Sequence, residues 1–166
     1  MLNVVKSAFG GKRFIPFLLG SGMFLAAGAA LAFSGAHNFT NVSSVSSDGR
    51  TTVSSYQAQG SLPFDGQGNY DGSRISLKGT LTVYQQDGIP VNPPVSYCLK
   101  VQGKVNSAGQ GSATVTQYKD LSCKKVARQG GYAVSNYTED TNGLFSLQYQ
   151  DGAGVVTTAS GTHTLQ

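Results

Sequence analysis

From Thr51 to the end of the chain, apolar and polar residues alternate with a period of two. Phe145, Leu147 and Tyr149 fall on one face of a run whose other face carries Ser146, Gln148 and Gln150. Leu81 and Val83 alternate in the same way with Thr80, Thr82 and Tyr84, and Tyr97, Leu99 and Val101 with Cys98, Lys100 and Gln102. Successive side chains of a strand point to opposite faces, so this pattern predicts half-buried strands. No window of the same region sustains a 3.6-residue apolar period over three turns, and helix is not expected there.

Turn signals divide the runs at spacings of roughly ten residues. Asp-Gly stands at 48–49, 65–66, 71–72, 87–88 and 151–152, joined by Asn142-Gly143 and by Ala108-Gly109-Gln110-Gly111. Asp-Gly and Asn-Gly accept the positive φ values that tight hairpins demand. Eight to ten short strands follow, joined sequentially, which predicts an all-β antiparallel meander. A small closed or nearly closed β-barrel is favoured over a β-sandwich, because closure removes the exposed edges. Pro90, Pro93 and Pro94 suggest one stiffer, longer connection between Gly88 and Pro94.

The first 50 residues break this pattern. Lys6, Lys12 and Arg13 precede an uncharged apolar stretch from Phe14 to Ala32 that ends Ala30-Leu31-Ala32. That order of positive, apolar and small residues is the pattern of a signal peptide over residues 1–32. A retained anchor helix is the competing reading, since the stretch approaches the roughly 20 residues that span a bilayer. Gly20, Gly22, Gly28 and Pro16 weaken it. Residues 33–50 then form a polar, Ser-rich leader or a first, weakly held strand, and the barrel domain is placed at 51–166. An exported, periplasmic or extracellular protein from a bacterial source is expected, with no stable membrane insertion once the segment is cut.

Removing the segment also changes the electrostatic picture. Residues 33–166 keep nine Lys/Arg against eight Asp/Glu, so the overall charge of +4 is mostly the targeting segment. No basic stripe interleaved with aromatics remains, and a nucleic-acid partner is not expected.

Two cysteines, Cys98 and Cys123, are read as a structural disulfide;. Neither CxxC spacing nor a neighbouring histidine supports a redox or metal pair. The strand register places Cys98 on the face opposite Tyr97 and Leu99, so the bridge is expected on the outer surface.

The run Gln59-Gly60-Ser61-Leu62-Pro63-Phe64-Asp65-Gly66-Gln67-Gly68-Asn69-Tyr70 resembles the GxxxFDGxGN hairpin of small exported bacterial β-meander proteins. Val101 to Val115 and Gly154 to Leu165 resemble the later Gly-rich strands of that group. The resemblance implies a lipocalin-like barrel without an assigned activity. The chain has no Trp and therefore lacks the Gly-x-Trp of lipocalins proper, so no binding residue is carried over.

Candidate chemistry is sparse. The only histidines, His37 and His163, stand near opposite ends of the exported part and are read as polar surface residues. Pairing of the first and last strands would let them approach each other. The one glutamate, Glu139, sits in an apparent turn, and the remaining acids mostly serve Asp-Gly turns. An enzyme would need a cleft gathering His37, His163 or Glu139 with another acid. Asp65, Gln67, Asn69 and Asp71 echo the start of a calcium loop but lack a Glu at the twelfth position, where Ser76 stands;. Asn38, Asn41 and Asn136 begin N-glycosylation sequences, which matter only in a eukaryotic source;. Eight tyrosines are expected to pack strands, or to line an amphipathic pocket;. No catalytic, cofactor-binding or metal-ligating residue is assigned, and no cofactor is expected. Two functions stand: a non-catalytic barrel holding a small apolar or amphipathic molecule, or a surface or structural protein acting by its outer face or by self-assembly.

Overall fold

The computed structural model describes residues 33–63 and 74–166. The targeting segment 1–32 and the calcium-like run 65–71, with most of the resemblance-bearing hairpin, lie outside them. Eight strands follow one another: β1 (Phe33–Ser46), β2 (Thr51–Leu62), β3 (Arg74–Gln86), β4 (Ile89–Val105), β5 (Gly111–Tyr118), β6 (Val126–Glu139), β7 (Leu144–Gln150) and β8 (Val156–Leu165). Each pairs antiparallel with the next, and β8 returns to β1, giving a closed meander barrel. No helix occurs among the described residues.

The first strand is where the sequence reading needs correction. Phe33–Ser46 is not a leader but the first strand, the other alternative that the sequence left open, and β1 pairs with β2 on one side and β8 on the other. The barrel domain therefore begins no later than residue 33. Its Ser and Thr residues hid it, since a barrel strand with a small polar outer face carries few apolar markers.

Two β-bulges set which residues face inward. Asn41 and Asn136 adopt positive φ (51° and 54°), and the pairing register shifts at both places. A bulge inserts one residue and moves the alternation by one. Phe39 and Val42 consequently share the interior face of β1, and Val134, Tyr137 and Glu139 that of β6. Asn tolerates the left-handed conformation better than most residues, which is why it occupies these positions.

The turns divide into two kinds. Asp87-Gly88 is a two-residue hairpin with both φ positive (51° and 76°), as its sequence predicts;. The connections after β4, β6 and β7 instead begin with Asn106, Asp140 or Asp151, whose side-chain oxygen accepts two backbone N–H groups. The residue three positions later, Gly109, Gly143 or Gly154, has positive φ and donates back to the first carbonyl. Cys123 holds the same place relative to Asp120, at φ 59°.

Pro90, Pro93 and Pro94 do not form a loop. They lie within β4, whose residues before Leu99 pair with β3 alone, since the β4–β5 register starts at Leu99 and Gln117. Proline lacks the N–H that an unpaired edge would expose, so this free stretch is a poor template for further strand addition.

Where the strands cross tightly, glycine is required. A Cβ on Gly79 of β3 would stand 1.8 Å from the Gln57 carbonyl oxygen of β2. Gly79→Ala is therefore expected to destabilise the barrel by about 2–3 kcal/mol, the cost of an overpacked interior, in denaturant titration. An unchanged midpoint would mean that the two strands can part without loss.

Candidate functional site

The eight strands enclose a cavity of about 760 Å³. Its two ends differ in chemistry. At the end that carries the β1–β2, β3–β4, β5–β6 and β7–β8 connections, the lining includes Gln86, Val91, Val95, Gln117, Arg128 and Gln129. Apart from half-buried Val91 and Gln117 these residues are exposed, and this end is the mouth. At the opposite end Leu62, Ile75, Val105, Tyr137 and Phe145 are buried and form a floor. Between them Leu77, Leu81, Leu99, Val101, Val115 and Leu147 supply the apolar wall.

Among the described residues, five tyrosines line the cavity: Tyr56, Tyr97, Tyr132, Tyr137 and Tyr149. Each has an inward parity on its strand. Tyr56 donates its hydroxyl to the Leu99 carbonyl at 3.0 Å, tying β2 to β4 across the lumen. Burial pushes its phenol above the usual tyrosine range. Burial likewise raises Tyr149, opposed by a hydrogen bond with Thr157. A phenol whose folded-state pKa is raised favours the folded protein while neutral. Its contribution is complete below the ordinary value of 10.0 and is lost as pH climbs above it;. Thermal denaturation scans are expected to show stability falling above about pH 10. Tyr56→Phe should flatten that alkaline fall, and an unchanged slope would assign it to other groups.

Beneath the floor the structure brings together three residues far apart in sequence. His37 of β1 and His163 of β8 meet with Nδ1 and Nε2 3.2 Å apart, and their rings stack at 5.4 Å. Contrary to the surface reading, both are buried, at 0% and 3% exposure. The Nδ1 of His163 lies 3.0 Å from Glu139 Oε1, and Tyr137 donates its hydroxyl to Glu139 Oε2 at 2.7 Å. Glu139 is thus not a turn residue but the buried last residue of β6. The Nε2 of His37 is 3.2 Å from the Gly60 carbonyl, an oxygen that only accepts, so this nitrogen carries a proton;.

One proton therefore has to lie in the His37–His163 gap and one between His163 and Glu139. With Glu139 ionised, the histidine pair carries one positive charge; with Glu139 protonated, both rings are neutral. Either way the array as a whole is neutral, which is how a buried polar cluster avoids the cost of an uncompensated charge. Phe39 stacks on His163 at 4.5 Å between the array and the lumen. The arrangement can share protons along β6, β8 and β1, and it stitches the seam where the barrel closes.

Pairing of the first and last strands brings the two histidines together, the approach that the sequence allowed if the barrel closed. The inward turn of Glu139 depends on the Asn136 bulge and has no signal in the sequence. Arg128 was also overlooked, although it shares the alternation of Val126, Gly130, Tyr132 and Val134. Among the described residues lining the cavity, it bears the only formal charge. No group of three metal-ligating side chains is arranged to hold an ion among the described residues.

On the outside, Cys98 and Cys123 form the disulfide, with Cα atoms 5.4 Å apart. Cys98 points away from the lumen, as its register predicts, and the 119–125 loop covers it. Asp120 holds that loop by accepting from Ser122 Oγ and from the Lys124 and Lys125 backbone. Lys100 caps the Tyr118 ring beside it at 5.3 Å.

Fold and cavity together define a closed eight-stranded antiparallel barrel with a lined interior. Compared with protein-family models, curated proteins and solved structures, the chain matches none.

Proposed function

We propose that this protein is an exported, non-catalytic container that holds one small apolar or amphipathic molecule inside its barrel. The observation that carries the reading is the 760 Å³ cavity, whose volume lies within the range of about 300–1,000 Å³ typical of small-molecule sites;. Its apolar wall is interrupted by tyrosine hydroxyls and glutamine amides that can orient a ligand without reacting with it. Export rests on the order of charged, apolar and small residues in the first 32 positions and agrees with a disulfide, which persists in oxidising compartments;. Closure of β1 on β8 pairs the terminal strands, and the free stretch of β4 carries prolines that make it a poor template for self-assembly, which favours the container over a structural role;.

Native mass spectrometry of protein isolated from its exported fraction is expected to show a chain starting near Phe33 with added non-covalent mass. Titration with a hydrophobic fluorophore, 1-anilinonaphthalene-8-sulfonate, should saturate at one molecule per chain. Val115→Trp, which fills the lumen from β5, should weaken it at least tenfold. Unsaturable binding, or binding indifferent to Val115→Trp, would place the fluorophore outside the barrel and remove the reading.

A further inference from the structure

The lumen is not evenly apolar, and the one charge among its described lining residues lies at the entrance. Arg128 stands near the start of β6, opposite Gln117 in the β5–β6 register, and its Nε donates to Gln117 Oε1 at 2.7 Å. That bond orients the guanidinium while leaving its terminal N–H groups outside the pairing. Tyr149 is close enough for the Arg128 charge to favour its ionised form, against the stronger effect of burial. The rings of Tyr132 and Tyr149 meet edge to face at 5.5 Å next to it. Among the described lining residues no aspartate or glutamate opposes this cation, because Glu139 lies under the floor, engaged with His163 and Tyr137.

Below this entrance the wall becomes hydrocarbon. From Arg128 to Tyr137 the β6 backbone descends through Gly130, Tyr132 and Val134 to the floor. At about 3.3 Å per residue and the tilt of a closed barrel, the descent is roughly 20 Å deep. That is close to the extended length of a palmitoyl chain.

We infer that the ligand is an amphipathic anion, bound with its acyl chain toward Leu77, Val105 and Phe145 and its carboxylate or phosphate head against Arg128. The inference rests on the container reading above and names its ligand class. A guanidinium at the border of an apolar cavity offers two parallel donors to a planar or tetrahedral oxyanion. Gln117, Gln129 and the two tyrosine hydroxyls stand within the same rim to satisfy the remaining oxygen lone pairs. A cationic head would be repelled by Arg128, the one charge among the described lining residues, and a wholly apolar ligand would leave it without an anion.

Isothermal titration of the oxidised protein with palmitate, hexadecyl phosphate and hexadecanol tests this. The three share one chain and differ in the head. Palmitate or hexadecyl phosphate is expected to bind at least tenfold tighter than hexadecanol. Arg128→Gln should erase that advantage, bringing both anions to the affinity that hexadecanol has for the same variant. Tighter binding of palmitate identifies a free fatty acid, and tighter binding of the phosphate a lipid-derived headgroup; either supports the assignment. Equal affinity for anion and alcohol in the unaltered protein overturns it, as does an anion preference that survives Arg128→Gln, and in both cases the container reading stands. Failure of all three to bind removes the container reading itself. Because Arg128 is exposed at the rim, the variant should melt with the parent, which separates a lost head contact from a lost fold.

Discussion

His163→Leu is expected to destabilise the barrel by about 3–5 kcal/mol, as the loss of one partner from a buried ionic or strongly polar pair does. The side chain is similar in reach and apolar, so the loss comes from what remains. Glu139 keeps its Tyr137 hydrogen bond but loses the imidazole at 3.0 Å, and its side chain is only 2% exposed. His37 loses the partner of its Nδ1 while fully buried. Glu139→Gln is the informative contrast. The amide oxygen can accept from His163 and the amide nitrogen can donate to the Tyr137 oxygen, but the amide carries no charge, so the histidine pair must give up one hydrogen bond to stay neutral, and the expected loss is about 1–3 kcal/mol. Replacing His37, His163 and Glu139 together by leucine should recover part of the single-mutant loss, since no half of a broken ionic pair is then left and only the bonds that Tyr137 and the Gly60 carbonyl make to the array are given up;. Urea unfolding of the four proteins measures this. If His163→Leu costs no more than Glu139→Gln, the array is incidental to stability, and its function lies elsewhere.

Reducing the disulfide, or replacing both cysteines by alanine, should lower stability by about 3 kcal/mol in the chain-entropy model for the separation of 25 residues it spans;. For a domain of this size that corresponds to a melting temperature lower by on the order of 10 °C. Two further losses point the same way. Cys98 is 1% exposed only because the 119–125 loop is held against β4. Cys123 is also held at φ 59°, a conformation that L side chains adopt at a cost unless the surroundings impose it;. Calorimetry with and without reductant reads the shift. The carboxylate of Asp120 is held below its usual range, first by the Ser122 hydroxyl and then by the Lys125 N–H. Its stabilising bonds are present above the ordinary carboxylate pKa and are lost as pH falls through the lowered value. The shift on reduction should therefore be no smaller in acid, where the Asp120 bonds are lost and the bridge holds the loop without them. No change on reduction at neutral pH would mean that Asp120 and the Lys100–Tyr118 contact hold the loop without the bridge.

The strands of the second half, the meander order and the outward Cys98 were all legible from alternation and from Asp, Asn and Gly at the turns. Those signals are local: a pleated strand repeats every two residues, and a hairpin needs positive φ at fixed places. β1 escaped because Ser43, Ser44 and Ser46 do not mark a buried face, and only its pairing with β8 makes it the closing strand. The prolines of β4 misled because a proline in a strand is tolerated at an unpaired edge, and which edge is unpaired is a property of the whole sheet;. His37 and His163 lie 126 residues apart, and no spacing rule reaches across that distance. Glu139 faces inward only because Asn136 shifts the alternation by one, and Asn136 sits in a bulge only because β7 pairs on both sides of it. The sequence by itself determined the strands, their order and the outer face of the bridge, because each follows from a period of two or from a turn. Closure was favoured by the sequential meander and the cost of exposed edges, but the bulges, the place of Arg128 in the lumen and the histidine–glutamate array were decided by the tertiary structure alone. Each depends on which strands meet, and that is settled by packing over distances the local pattern does not carry.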